Sequence, residues 1–199
     1  MRVLVDTCVF QHTSRPPGPD DLWLQDQVAA LPDTLAAARR GAISLMVAHE
    51  TVFELWGAPW PSLPHLAASP FSGIELGRVA PPFHYGRVLV TGTDKPRKRG
   101  TDKPRKRGTD KLRGQDWVDR RKRFVRGIRD PEYLRLVKQL GGNKLEDAFL
   151  VLTAKRNGIE WVLTTDRHFA NAARQLHRAA YGVTVLTPIE LRARLRGGP

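Results

Sequence analysis

This sequence predicts a three-layer α/β/α domain around a central, mostly parallel sheet, and three observations carry that expectation. The apolar runs Val3-Leu4-Val5 and Trp161-Val162-Leu163 are short, as strands buried on both faces should be. Strand-like runs alternate with helical ones, the pattern that lays helices on both faces of a parallel sheet. At 199 residues the chain has length for one well-buried core with room for insertions, and too little for two independent enzymatic domains.

Taken in order, the first strand ends at Asp6, and Thr7 to Gln11 starts a short helix. His12 to Asp20 reads as a Pro/Gly-rich loop. Asp20 or Asp21 caps a helix from about Leu22 to Arg40, with Gly41 as its stop. Ala42 to Val47 is a short strand, followed by a helix that carries Glu50 and Glu54 and ends near Gly57 and Pro59. Pro59 to Tyr85 has no periodicity that assigns it to helix or strand. Arg120 to Arg129 is basic but interleaved with Phe124, Val125 and Ile128, and Leu134, Val137 and Leu140 continue at helical spacing up to Gly141-Gly142. Asn143-Lys144-Leu145-Glu146 fits a capping box with Asn143 as N-cap, which gives Glu146 a structural role and leaves Asp147 the freer carboxylate. That helix ends at Asn157-Gly158. A strand at 161–163, a helix from about Phe169 to Ala180, a strand from Gly182 to Leu186 and a helix from Pro188 complete the chain. Thr187-Pro188-Ile189-Glu190 is a second capping box, with Pro at the first helical position.

Gly92 to Gln115 differs in kind, repeating an eight-residue unit as GTDKPRKR, GTDKPRKR and the diverged GTDKLRGQ. With almost no apolar residues it has no core to bury, and it is expected to be a disordered basic insertion within the single domain. Sixteen lysines and arginines against five aspartates between Asp94 and Arg129 supply +11 of the chain's formal +13. One reading is a solvated repeat with no specific role. The other is an electrostatic arm that tracks phosphates without reading sequence, through Lys95, Arg97, Lys98, Arg99, Lys103, Arg105, Lys106 and Arg107, together with Arg120, Arg121, Lys122 and Arg123.

Four acids stand where carboxylates can face one metal: Asp6, Glu54, Asp147 and Asp166. Asp6 and Asp166 follow strand runs, and the C-terminal ends of strands are where open α/β sheets place ligands. Glu54 and Asp147 fall on helical segments that approach the same cleft, with Glu50 a competitor one turn before Glu54. Carboxylates brought together repel unless a cation neutralises them, and hard oxygen ligands favour Mg²⁺ or Mn²⁺.

At these positions the chain resembles the PIN domain family of metal-dependent ribonucleases, which includes the VapC-type toxins of toxin–antitoxin systems. Val3-Leu4-Val5-Asp6-Thr7 looks like the family's first strand and its terminal Asp; VAHETVFELWG, from Val47 to Gly57, looks like the second motif, matching Glu54-Leu55 better than Glu50. Asp147-Ala148-Phe149 with Ala154 and Gly158 is similar to the third motif, and Leu163-Thr164-Thr165-Asp166-Arg167-His168-Phe169 to the fourth. The resemblance implies that Asp6, Glu54, Asp147 and Asp166 hold the metal and perform catalysis, with Thr164 or Thr165 assisting. It implies hydrolysis of RNA phosphodiesters to a 5′-phosphate and a 3′-hydroxyl. A small antitoxin protein and a homodimer are implied partners. Cys8 stands where the family usually has Asn or Ser, and its reading from sequence is a small buried hydrophobe. His168 is read as an exposed or hydrogen-bonded histidine rather than a ligand.

Two other readings compete. A non-catalytic nucleic-acid-binding module on the same fold would use the basic segment alone. A phosphotransferase with Asp6 as covalent nucleophile would want a second Asp two residues on, where Cys8 stands instead. The single cysteine allows no internal disulfide, no run approaches a membrane span, and the N-terminus reaches a charged residue too soon for a signal peptide, so a soluble, cytoplasmic protein with RNA as partner and no membrane is expected.

Overall fold

A computed structural model of the protein describes residues 1–14, 17–48, 51, 70–82, 124–176 and 181–197. Five strands, β1 (Arg2–Val5), β2 (Ser44–Ala48), β3 (Gly77–Val79), β4 (Trp161–Leu163) and β5 (Thr184–Leu186), form one sheet in the order β3-β2-β1-β4-β5, and every pairing is parallel. The helices with full bounds are α1 (Thr7–Ser14), α2 (Leu22–Arg39), α3 (Pro131–Gln139), α4 (Leu145–Arg156), α5 (Arg167–Ala173) and α6 (Pro188–Gly197).

The three layers follow from the period-two alternation of the strands. Val3 and Val5 pack into one apolar cluster with α1, α2 and α6, through residues such as Phe10, Leu31, Leu35 and Leu191. Leu4, between them, packs into the other with α3, α4 and α5, through Tyr133, Leu136, Leu152 and Phe169. Val162 and Leu163 divide in the same way. Val3, Leu4 and Val5 are fully buried, each burial stabilising by about 1.5–3 kcal/mol. This is the expected α/β/α architecture.

The departures are local. The stretch left unassigned between Pro59 and Tyr85 contains β3, an edge strand of three residues in which only Val79 is buried and Gly77 leaves its space to the Met46 thioether. Helix α1 continues to Ser14, so His12 is helical rather than in a loop. Strand β2 and helix α5 are shifted or shorter than expected, α5 ending at Ala173. Leu134 is 44 % exposed, and the buried face of α3 is Tyr133, Leu136 and Val137.

The capping box expected at Asn143 is not formed. Lys144 is the N-cap of α4 and no side chain caps it; Glu146 is therefore not a capping partner. Gly141 and Gly142, at φ 101° and 82°, carry the chain through a left-handed turn that starts the helix one residue later. The second box does form: Thr187 N donates to Glu190 Oε2 at 2.8 Å and Glu190 N to Thr187 Oγ1 at 3.3 Å. Helix α2 is capped by Asp21, which accepts from Leu24 N at 3.0 Å.

Candidate active site

Strand order places the site. The chain leaves β1 toward β2 and β3 on one side and returns to β4 and β5 on the other, so the C-terminal ends of β1 and β4 border the crevice where such sheets bind ligands. Val5 pairs with Leu163, and Asp6 N donates to Leu163 O at 2.9 Å. The residues after each strand, Asp6 and Thr164-Thr165-Asp166, are thereby forced side by side.

Thr164 joins the two aspartates. Its fully buried hydroxyl donates to Asp6 Oδ2 at 2.7 Å and accepts from Asp166 N at 3.0 Å. Cys8, the second residue of α1, donates its S–H to the same Asp6 oxygen at 3.1 Å and accepts from Thr165 N at 3.3 Å. Cys8 packs at the edge of the apolar cluster, as a small hydrophobe would, yet its sulfur belongs to this polar network. Burial, with the Asp6 charge beside it, pushes the Cys8 thiol well above its ordinary pKa, so it stays a neutral donor. Thr165 Oγ1 lies 2.7 Å from His12 Nδ1, and burial holds that imidazole below its usual value.

The carboxylates are placed under stress. Burial raises the pKa of Asp6 even against the donors from Cys8 and Thr164, and Asp166 adds to the rise. Asp147, in the first turn of α4, is pushed up to about 6, chiefly by burial, with Lys144 opposing and Asp6 and Asp166 reinforcing. Asp147 Oδ2 is buried and accepts no hydrogen bond among the described residues; Lys144 Nζ stands 3.4 Å from it as an ion pair. Asp166 commits Oδ1 to the N-cap of α5, accepting from His168 N at 2.7 Å and Phe169 N at 3.1 Å.

Asp6, Asp147 and Asp166 line one cleft of about 190 Å³, with Cys8, Gln11, Thr51 and Glu146 among its other walls. Thr51, a described residue of the second motif, is buried and lines this cleft. Glu54 itself, and Glu50, lie outside the described residues, as do Lys95 through Arg123. Among the described residues no three of His, Cys, Asp or Glu are grouped closely enough to hold an ion. The donor chemistry nonetheless fits Mg²⁺ or Mn²⁺: hard oxygens, one of them buried without a hydrogen bond.

Sequence reasoning missed Cys8 as a donor, His12, Lys144 and Gln11. The only signal for any of them was the spacing of Cys8 from Asp6, two residues along a helix that starts at the carboxylate.

Thr164→Val removes the shortest bond to Asp6 and leaves Asp166 N unpaired. It is expected to weaken Mn²⁺ binding about 10- to 100-fold and to destabilise the protein by about 1–3 kcal/mol. Calorimetric titration and urea denaturation read the two effects, and Thr164→Ser should recover both. Compared with known proteins, the chain matches no protein-family model and no curated sequence.

Proposed function

We propose that this protein is a metal-dependent endoribonuclease that hydrolyses RNA phosphodiester bonds. The observation that carries the reading is the convergence of Asp6, Asp147 and Asp166, from three separate elements, on one cleft at the sheet's switch point. Two of the three are held above the ordinary carboxylate pKa, the mark of a site with too much negative charge for its burial. The resemblance to PIN domain ribonucleases, motif by motif, supplies the reaction class.

In this reading Asp6, Asp147 and Asp166, with Glu54, hold one or two Mg²⁺ or Mn²⁺ ions. Bound there, the metal supplies activation of water and stabilisation of charge on the leaving oxygen. Thr164 keeps Asp6 and Asp166 in register, and the Cys8 thiol takes the place of an amide or hydroxyl as second donor to Asp6. That contact weighs against a degraded, purely binding module. Membership of a toxin–antitoxin pair and dimer formation rest on the resemblance alone. Among the described residues no helix is long and apolar enough to cross a membrane.

The test is cleavage of a mixed RNA pool with Mn²⁺ or Mg²⁺, beside an EDTA control and Asp6→Asn. Cleavage lost in both controls supports the reading; binding without cleavage under either metal overturns it. Deletion of 92–115 is expected to weaken RNA binding and flatten its salt dependence more than it lowers turnover, because phosphate neutralisation by that segment is sequence-independent. Equal affinity and equal salt slope in the deletion would remove the arm from the account.

A further inference from the structure

A second cleft, of about 320 Å³, opens directly off the acidic one, since Glu146, Asp147 and Asp166 belong to both. Its other wall has the opposite character. Val125 and Arg126 come from a helical turn at 124–127, and Asn143, Lys144 and Leu145 from the entry to α4. Two cations and an amide thus face a space whose near edge is carboxylate. Arg126 is exposed, and its guanidinium forms no ion pair among the described residues.

The two cation-bearing segments are locked together from beneath. Tyr133 is fully buried, and its hydroxyl proton is shared between Val125 O at 3.1 Å and Leu145 O at 3.0 Å. Val125 itself is 2 % exposed, and Phe124 packs edge-on against Phe149 of α4. Arg126 and Lys144, each next to one of those carbonyl-bearing residues, are therefore carried on a fixed frame. Lys144 Nζ, 3.4 Å from Asp147 Oδ2, stands at the boundary between the two clefts.

Resting on the ribonuclease reading above, we propose that this cleft seats the phosphate adjacent to the scissile one in single-stranded RNA, with Arg126 and Lys144 as its cationic contacts and Asn143 as a neutral donor. A polyanion crossing the acidic cleft meets carboxylates that repel every phosphate not neutralised there, so the next phosphate needs cations of its own. The guanidinium fork suits two phosphate oxygens at once, and the ammonium adds a point charge. The wall's donors are the two cations and Asn143, a set that suits phosphate positioning.

The experiment uses the full chain and a ten-nucleotide RNA with one cut site. Each phosphate in turn is replaced by a neutral methylphosphonate, with 2′-O-methyl ribose at that position and a 2′-O-methyl phosphate control. In the wild type, one linkage beside the cut is expected to raise KM about tenfold with kcat little changed. Arg126→Gln should raise KM for the ordinary RNA by a similar factor and lose all further response to that one methylphosphonate, while Arg126→Lys keeps part of it. Losses that multiply at every linkage overturn the proposal. Absence of cleavage by the wild type defeats the ribonuclease reading instead, and the same cycle read by fluorescence anisotropy then decides the cleft: coupling at one linkage sustains it, and independent losses or no binding overturn it.

Discussion

If the protein is the proposed metal-dependent ribonuclease, Asp6→Asn is expected to lower RNA cleavage by on the order of a thousandfold, equivalent to about 4 kcal/mol of lost transition-state stabilisation. The substitution is nearly isosteric, and an amide oxygen still accepts from Thr164 and Cys8, so the network around the site keeps its shape. What changes is the charge. Burial already disfavours the ionised Asp6, and a neutral side chain at this position relieves that strain, so the variant's thermal midpoint is expected to equal or exceed the wild type's. Initial rates with Mn²⁺, measured beside thermal melting in EDTA, separate loss of chemistry from loss of fold. A variant that keeps more than about a tenth of the wild-type rate removes Asp6 from the metal site.

The part of this site that was legible in the sequence is the part set by strand ends. A three-residue apolar run followed by Asp fixes where β1 stops, and a second apolar run, with Asp166 three residues past its end, fixes β4; their parallel pairing then sets Asp6 beside the segment that carries Asp166. Asp147 was singled out because a capping box was expected to occupy Glu146; the box is not formed, and Asp147 lines the cleft beside Glu146 without that reason. The Cys8, Thr164 and Thr165 contacts join residues more than 150 positions apart, and no local pattern announces them. The error at Asn143 came from the two glycines: the capping-box pattern is satisfied in sequence, but their left-handed turn moves the helix start by one residue. On α3, helical spacing pointed to Leu134 as the buried residue, yet it is exposed and Tyr133 is buried in its place. Tyr133 wins because its hydroxyl finds two carbonyls inside, so the larger ring is buried without an unpaired polar atom. Strand β3 has one buried side chain in three, too little pattern to separate it from the loop around it.

Asp147→Asn moves stability and activity in opposite directions. The folded-state pKa of Asp147 is raised to about 6 from an ordinary 3.8, so the metal-free folded protein holds this proton more tightly than the unfolded chain does. The contribution is therefore neutral at low pH and turns unfavourable as pH climbs from about 4 through 6, reaching at most about 3 kcal/mol above that range. With relaxation and the Lys144 ion pair opposing, Asp147→Asn is expected to stabilise the EDTA-treated protein by about 1–2 kcal/mol at pH 8, and to give no gain at pH 4. Urea midpoints at the two pH values read the difference directly. Mn²⁺ should reverse the order at pH 8, because an ion that binds the folded wild type raises its stability by mass action and the variant has lost a ligand. Cleavage should fall by on the order of a thousandfold in the same variant. A variant no more stable than wild type at pH 8 in EDTA would mean that Asp147 is well solvated in the free protein, and the case for a buried carboxylate awaiting a cation would fall with it.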